Sequence, residues 1–178
     1  YAMDAYELLE SRKSVRTYTG EAVPGSQESR ILRAAELAPV GMGRFEDFHL
    51  TVIKNPQILK QIELAAALML GKPDVHPLYG APELVLVSAK DPEQKGNVAY
   101  SGAAIIAHNM VLAAENQGLG ACYIWGAVAA LNQNPDLVSA LELPESFLPC
   151  CGVIFGATTE ILTPREVDSE RIRTNVLR

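Results

Sequence analysis

The run Glu10-Ser11-Arg12-Lys13-Ser14-Val15-Arg16-Thr17-Tyr18 places three cations within five residues, with a hydroxyl between them. On an extended backbone, Arg12, Ser14 and Arg16 share one face, because side chains alternate with a period of two. Two guanidinium forks and a hydroxyl on one face suit the oxygens of a phosphate. The competing reading is a solvated basic patch at a helix end, where cations are favoured by the helix dipole anyway.

Other side-chain chemistry is sparse. His49 and His108 have no carboxylate or cysteine at metal-ligand spacing, and His76 sits among loop residues, so no metal site is expected. There is no GxSxG, no P-loop, no GxGxxG after a strand and no HExxH. Cys122, Cys150 and Cys151 are odd in number, lack a CxxC and lie in apolar surroundings, which reads as buried reduced thiols in a cytoplasmic protein. An enzyme with this inventory takes its chemistry from a bound cofactor.

Charge supports an anion site but not a nucleic-acid surface. The formal charge is −6, which argues against nonspecific nucleic-acid binding. From Asp74 to Glu160 nine acids face only Lys90 and Lys95. Cations gather instead near the two ends, at Arg12, Lys13 and Arg16, then Arg165, Arg171, Arg173 and Arg178. Basic ends on an acidic body would meet around a shared anion. No apolar run approaches the ~18 residues of a membrane span, no signal-peptide pattern opens the chain, and Tyr1-Ala2 ahead of Met3 reads as an expression remnant.

The elements that must position these residues follow from local patterning. Asp4 starts a helix that ends near Ser11 to Ser14, and Ser26 is the expected cap of a second running to about Leu37. Its apolar stripe is Ile31, Leu32, Ala34, Ala35 and Ala38. After the glycine-punctuated loop from Pro39, Phe48 to Ile53 reads as a strand. Asn55-Pro56 opens a helix to about Leu70. Leu84 to Val87 is a continuous apolar strand, central in a sheet. The longest helix spans about Val98 to Gln117 and is apolar over so much of its girth that it is either core or covered by a partner; Gly118 ends it. A strand at 121–124, short helices after Trp125-Gly126 and at 135–141, and a strand at 148–155 follow. A polar segment, 158–178, closes the chain. The reading is α+β with crossovers, a single domain over 1–178.

The ordered set of pieces resembles the FMN-dependent nitroreductase family. The carrying segments are Arg12-Lys13-Ser14-Val15-Arg16-Thr17-Tyr18, Ala34-Ala35-Glu36-Leu37-Ala38-Pro39 with its glycine loop, Tyr79-Gly80-Ala81-Pro82, Gly118-Leu119-Gly120-Ala121-Cys122-Tyr123, Leu143-Pro144-Glu145 and Val153-Ile154-Phe155-Gly156. The resemblance implies an α+β fold with a central, mostly antiparallel sheet flanked by helices. It also implies an intertwined homodimer with FMN at its interface and NADH or NADPH as electron donor. By motif, Arg12, Ser14 and Arg16 would hold the phosphate and ribityl end, and Lys13 would touch the flavin through its backbone. Pro39, Val40 and Gly41 would approach from the partner subunit. Trp125 and Gly126 would sit beside the ring, and Arg171 and Arg173 would close on the phosphate.

One stretch departs from the family pattern. Where the family commonly has Ser, then Asn and Gln-Pro-Trp, this chain reads Val40-Gly41-Met42-Gly43-Arg44-Phe45-Glu46-Asp47. Arg44 is then read either as a donor to flavin or anionic substrate, or as a surface arginine. Three functions follow from the sequence: an NAD(P)H oxidoreductase passing electrons to nitroaromatic, quinone or flavin acceptors by a ping-pong route; a flavin-binding storage or sensor protein without turnover; and a flavin-free protein using the basic clusters for another anion.

Overall fold

A computed structural model describes residues 4–178; Tyr1-Ala2, read above as a remnant, lie outside them with Met3. Four strands, β1 (Phe48–Ile53), β2 (Glu83–Lys90), β3 (Gly120–Ile124) and β4 (Phe147–Gly156), form one sheet in the order β1-β2-β4-β3. Every neighbouring pair is antiparallel. Helices cover both faces, as the α+β reading and the family resemblance implied.

Strand β2 shows why its sequence is apolar without alternation. Val85, Val87 and Ala89 point into one core, while Leu84 and Leu86 point into the other. The first core is closed by α2 (Gly25–Glu36) and α5 (Asn97–Glu115), the second by α3 (Pro56–Leu70), α6 (Gly126–Asn132) and α7 (Pro135–Ser139). Each fully buried Leu, Ile or Val contributes about 1.5–3 kcal/mol by leaving water. The strand extends beyond the expected 84–87 because β4 pairs with it as far as Lys90↔Phe147. It ends at Asp91, whose φ of 47° turns the chain into the short α4 (Pro92–Lys95).

Helix ends follow local chemistry, with one correction. The Asp4 carboxylate accepts the Glu7 N–H at 2.8 Å and caps α1 (Ala5–Ser11). Asn55 caps α3 by accepting from Gln57 and Ile58, Pro56 takes the first turn, and Gly71 at φ 62° closes it. Ser26 is not the cap of α2. The Pro24 carbonyl accepts from Gln27 and Glu28, so the helix begins two residues earlier and Ser26 falls inside its first turn. The buried stripe is Ile31, Ala35 and Ala38, with Leu32 and Ala34 half-buried.

The long helix α5 packs closely against the sheet. A side chain at Gly102 would clash with the Phe48 ring. The opposite face of α5 is left open at Val98, which is 65% exposed, and at Ile105, which is exposed as well. Among the described residues, no helix is long and apolar enough to cross a membrane.

Candidate functional site

The residues after α1 run along the outer side of β3 without joining the sheet. Val15 donates its N–H to the Ala121 carbonyl at 3.0 Å, and Thr19 donates to Ala157 at 2.9 Å. The Val15 side chain is fully buried against Gly120, where there is no Cβ to block it. This anchor sets the alternation expected from the sequence. With Val15 inward, Ser14 and Arg16 face the other way, and both bear on the Cys122 thiol together with Arg12. Burial pushes that thiol up; Arg16, the Ser14 hydroxyl and Arg12 pull it back.

The same segment is gripped through its backbone by two acids. Lys13 donates its N–H to Glu115 Oε1 at 3.2 Å, and Arg16 donates its N–H to Glu160 Oε1 at 3.0 Å. Lys13 Nζ pairs with Glu160 Oε2 at 2.9 Å. The Thr158 hydroxyl donates to the Thr17 carbonyl at 2.6 Å. Lys13 is thus spent twice within the protein, and its carbonyl is what its backbone has left to offer a ligand. Arg12 and Arg16 form no ion pair among the described residues. Arg16 instead lies 5.9 Å from the centroid of the Tyr79 ring. Two uncommitted guanidiniums in an acidic protein are what a phosphate receptor requires.

Glu115 is the unusual group here. It is 1% exposed, its Oε2 has no hydrogen-bond partner, and burial pushes its carboxyl up to about 7 against the pull of the Lys13 N–H, Arg12 and Arg165. A carboxyl whose folded value lies above its unfolded one favours the folded state at low pH. That contribution is complete below the unfolded value and is lost as pH rises through the folded value. Wild-type protein is therefore expected to lose about 1–3 kcal/mol of stability between roughly pH 5 and pH 8, with Glu115→Gln showing a flatter profile in urea melts. Identical slopes for the two proteins would refute this assignment.

The remaining candidates lie at other places. Trp125 is 60% exposed and precedes α6, with Gly126 as the first residue of that helix. A Cβ at Gly126 would meet nothing within 4 Å, so the backbone is approachable there. Val40 is buried in the first core, while Pro39 and Gly41 are exposed. Gly41 and Arg44 line a cavity of about 240 Å³ with Met42, Phe48, Lys95 and Val98. Arg44 pairs with Asp47 at 3.0 Å, and Lys95 pairs with the same carboxylate at 2.9 Å. Those partners hold Asp47 below the usual carboxylate range, Lys95 most of all. Arg171 and Arg173 lie on the exposed tail, and no hydrogen bond or ion pair among the described residues joins them to the 12–16 segment.

Two acids that the sequence did not single out, Glu115 and Glu160, hold the segment. Of the cations noted near the C-terminus, Arg165, whose N–H donates to the Glu10 carbonyl at 3.3 Å, is the one whose charge bears on Glu115. The excess of acids in the middle of the chain was the available signal, but nothing local marked these two. The cysteines are buried and free, as expected. Burial pushes Cys150 up to about 11 and Cys151 up to about 12, so neither is a thiolate nucleophile at neutral pH.

Comparison with known proteins agrees with this architecture. The model of the nitroreductase family matches residues 9–157. A protein of Methanothermobacter thermautotrophicus, named as a candidate NADH dehydrogenase/NAD(P)H nitroreductase, is 29% identical over 96% of this chain and 86% of its own length. The crystal structure of a Bacteroides fragilis nitroreductase with bound FMN superposes with a TM-score of 0.78 at 27% identity, covering 96% of this chain and 99% of the other. That of a Desulfitobacterium hafniense nitroreductase with bound FMN gives 0.82 at 24% identity, covering 96% of each.

Proposed function

The chain belongs to the nitroreductase family of oxidoreductases, and from that premise we propose that it binds FMN and uses NADH or NADPH to reduce small acceptors. The observation that carries this reading is the segment 12–16, whose Arg12, Lys13, Val15 and Arg16 N–H groups are held by the protein while the Arg12 and Arg16 guanidiniums form no ion pair among the described residues. Arg12, Ser14 and Arg16 bind the phosphate and ribityl end, and the Lys13 carbonyl is available to the ring. Trp125 and Gly126 line the ring, with an accessible backbone at Gly126. Pro39, Val40 and Gly41 reach the flavin from a second copy, and Arg171 and Arg173 close over the phosphate once the tail is docked. Arg44, held by Asp47 at the mouth of its cavity, meets the acceptor.

When bound, the flavin supplies two-electron transfer between a nicotinamide and an acceptor that occupy the site in turn. The polypeptide binds, orients and excludes water; no acid or base of its own is required. Nitroaromatics, quinones and free flavins are acceptors of the appropriate kind. The exposed apolar face of α5, with Val98 and Ile105, supports a homodimer that covers it.

Purified protein should be yellow and dimeric in sedimentation, and its flavin bands should bleach on anaerobic addition of NADH or NADPH. Initial rates at varied donor and acceptor should give parallel double-reciprocal lines. Absence of flavin uptake with excess FMN would end the proposal, and bound FMN that neither nucleotide reduces would select the storage or sensor reading. Trp125→Ala is expected to alter the fluorescence and reduction rate of the bound flavin while leaving most of its retention. Unchanged fluorescence and rate would put Trp125 outside the flavin site.

A further inference from the structure

We propose that Glu115 and Glu160 are positioning residues for FMN, acting on its phosphate through the backbone of residues 13–16. The inference rests on the flavin reading above and extends it to two acids that touch no ligand. An acid beside a phosphate receptor opposes binding by simple charge, at a few ångströms and in a partly buried setting. These two nonetheless sit among Arg12, Lys13 and Arg16, and their contacts explain why.

Glu115 accepts from the Lys13 N–H and Glu160 from the Arg16 N–H, so each holds one side of Ser14 and Val15. Glu160 also takes the Lys13 ammonium, drawing it to the odd face of the segment. Val15 is pinned between them by Ala121. The outcome is an extended backbone held by its Lys13, Val15 and Arg16 N–H groups, with the Arg12 and Arg16 guanidiniums left without an ion pair among the described residues. Preorganised donors bind an anion more tightly than the same donors on a loose loop, which must be ordered at the moment of binding.

Charge and position make opposite predictions, and that decides the test. FMN and riboflavin are titrated by flavin fluorescence against the full-length wild type and against Glu115→Ala, Glu115→Gln, Glu160→Ala, Glu160→Gln and Arg16→Ala. Positioning predicts that each alanine variant binds FMN about tenfold more weakly, with riboflavin changed by less than about twofold. The glutamines, which keep an acceptor for the same N–H, should recover most of the FMN affinity. Tighter FMN binding by the alanine variants would mean that the acids act only as charges, and would overturn the inference. Equal weakening of FMN and riboflavin would mean general damage to the fold, and would overturn it too. If Glu115→Ala does not fold, the Glu160 pair alone decides, since Glu160 lies nearer solvent. No FMN uptake by the wild type would remove the flavin reading itself; an Arg16→Ala protein with unchanged FMN affinity would place the phosphate away from this segment and overturn the inference, and Arg16→Ala weakened beside unaffected acid variants would remove only the positioning role.

Discussion

Arg16→Ala is expected to bind FMN about 1.5–3 kcal/mol more weakly than the wild type, roughly tenfold to a hundredfold in Kd. The guanidinium it removes is exposed, makes no ion pair among the described residues, and is held only loosely beside the Tyr79 ring. Folding therefore loses little, about 1 kcal/mol or less, the worth of an exposed cation–π contact. The separation of the two effects is the useful part: a large change in ligand affinity with an almost unmoved urea midpoint. Fluorescence titration and retention of FMN through dialysis measure the first, and a urea melt the second. The loss should shrink as salt is raised, because screening weakens the wild-type attraction. Full retention of FMN by the variant would place the phosphate elsewhere.

Gly120→Ala should do the reverse, damaging fold and site together. A Cβ there would lie 2.6 Å from Val15 Cγ1, 3.0 Å from Val15 Cβ and 2.9 Å from Thr158 Cγ2. Val15 is β-branched and fully buried, so it cannot rotate clear, and the backbone between Ser14 and Arg16 must move. Overpacking of this kind costs about 1–3 kcal/mol. It also shifts the arginine face, so FMN affinity should fall with stability. Gly25→Ala is the matched control, because its new methyl meets nothing within 4 Å and helix starts accept alanine. If Gly120→Ala melts like the wild type and keeps its FMN, Val15 is not the anchor of the segment.

Legibility in the sequence tracked the range of the interaction. The start of α3 was readable because Asn55, Pro56 and the N–H groups they serve are within three residues of one another. The length of β2 was not, since Lys90 is a strand residue only because Phe147 lies opposite it. Ser26 looked like a cap by type, but Pro24 already supplied the carbonyl around which the helix closes. The arginine run was readable because its residues lie within one short segment. The acids that fix that run stand 102 and 144 residues away from the N–H groups they accept, beyond any local pattern.

The sheet has two flanks, and one of them is treated differently from the other. Strand β3 would offer Ala121 and its neighbours as a template for a foreign strand, the usual route to ordered self-association. The chain around Val15 lies over that flank and occupies the Ala121 carbonyl. The stretch proposed above to grip the nucleotide is therefore also a guard rail. Stripping the ligand, or loosening the stretch by mutation, should leave a protein that clumps through its β3 side, and storage with excess nucleotide should keep it dispersed.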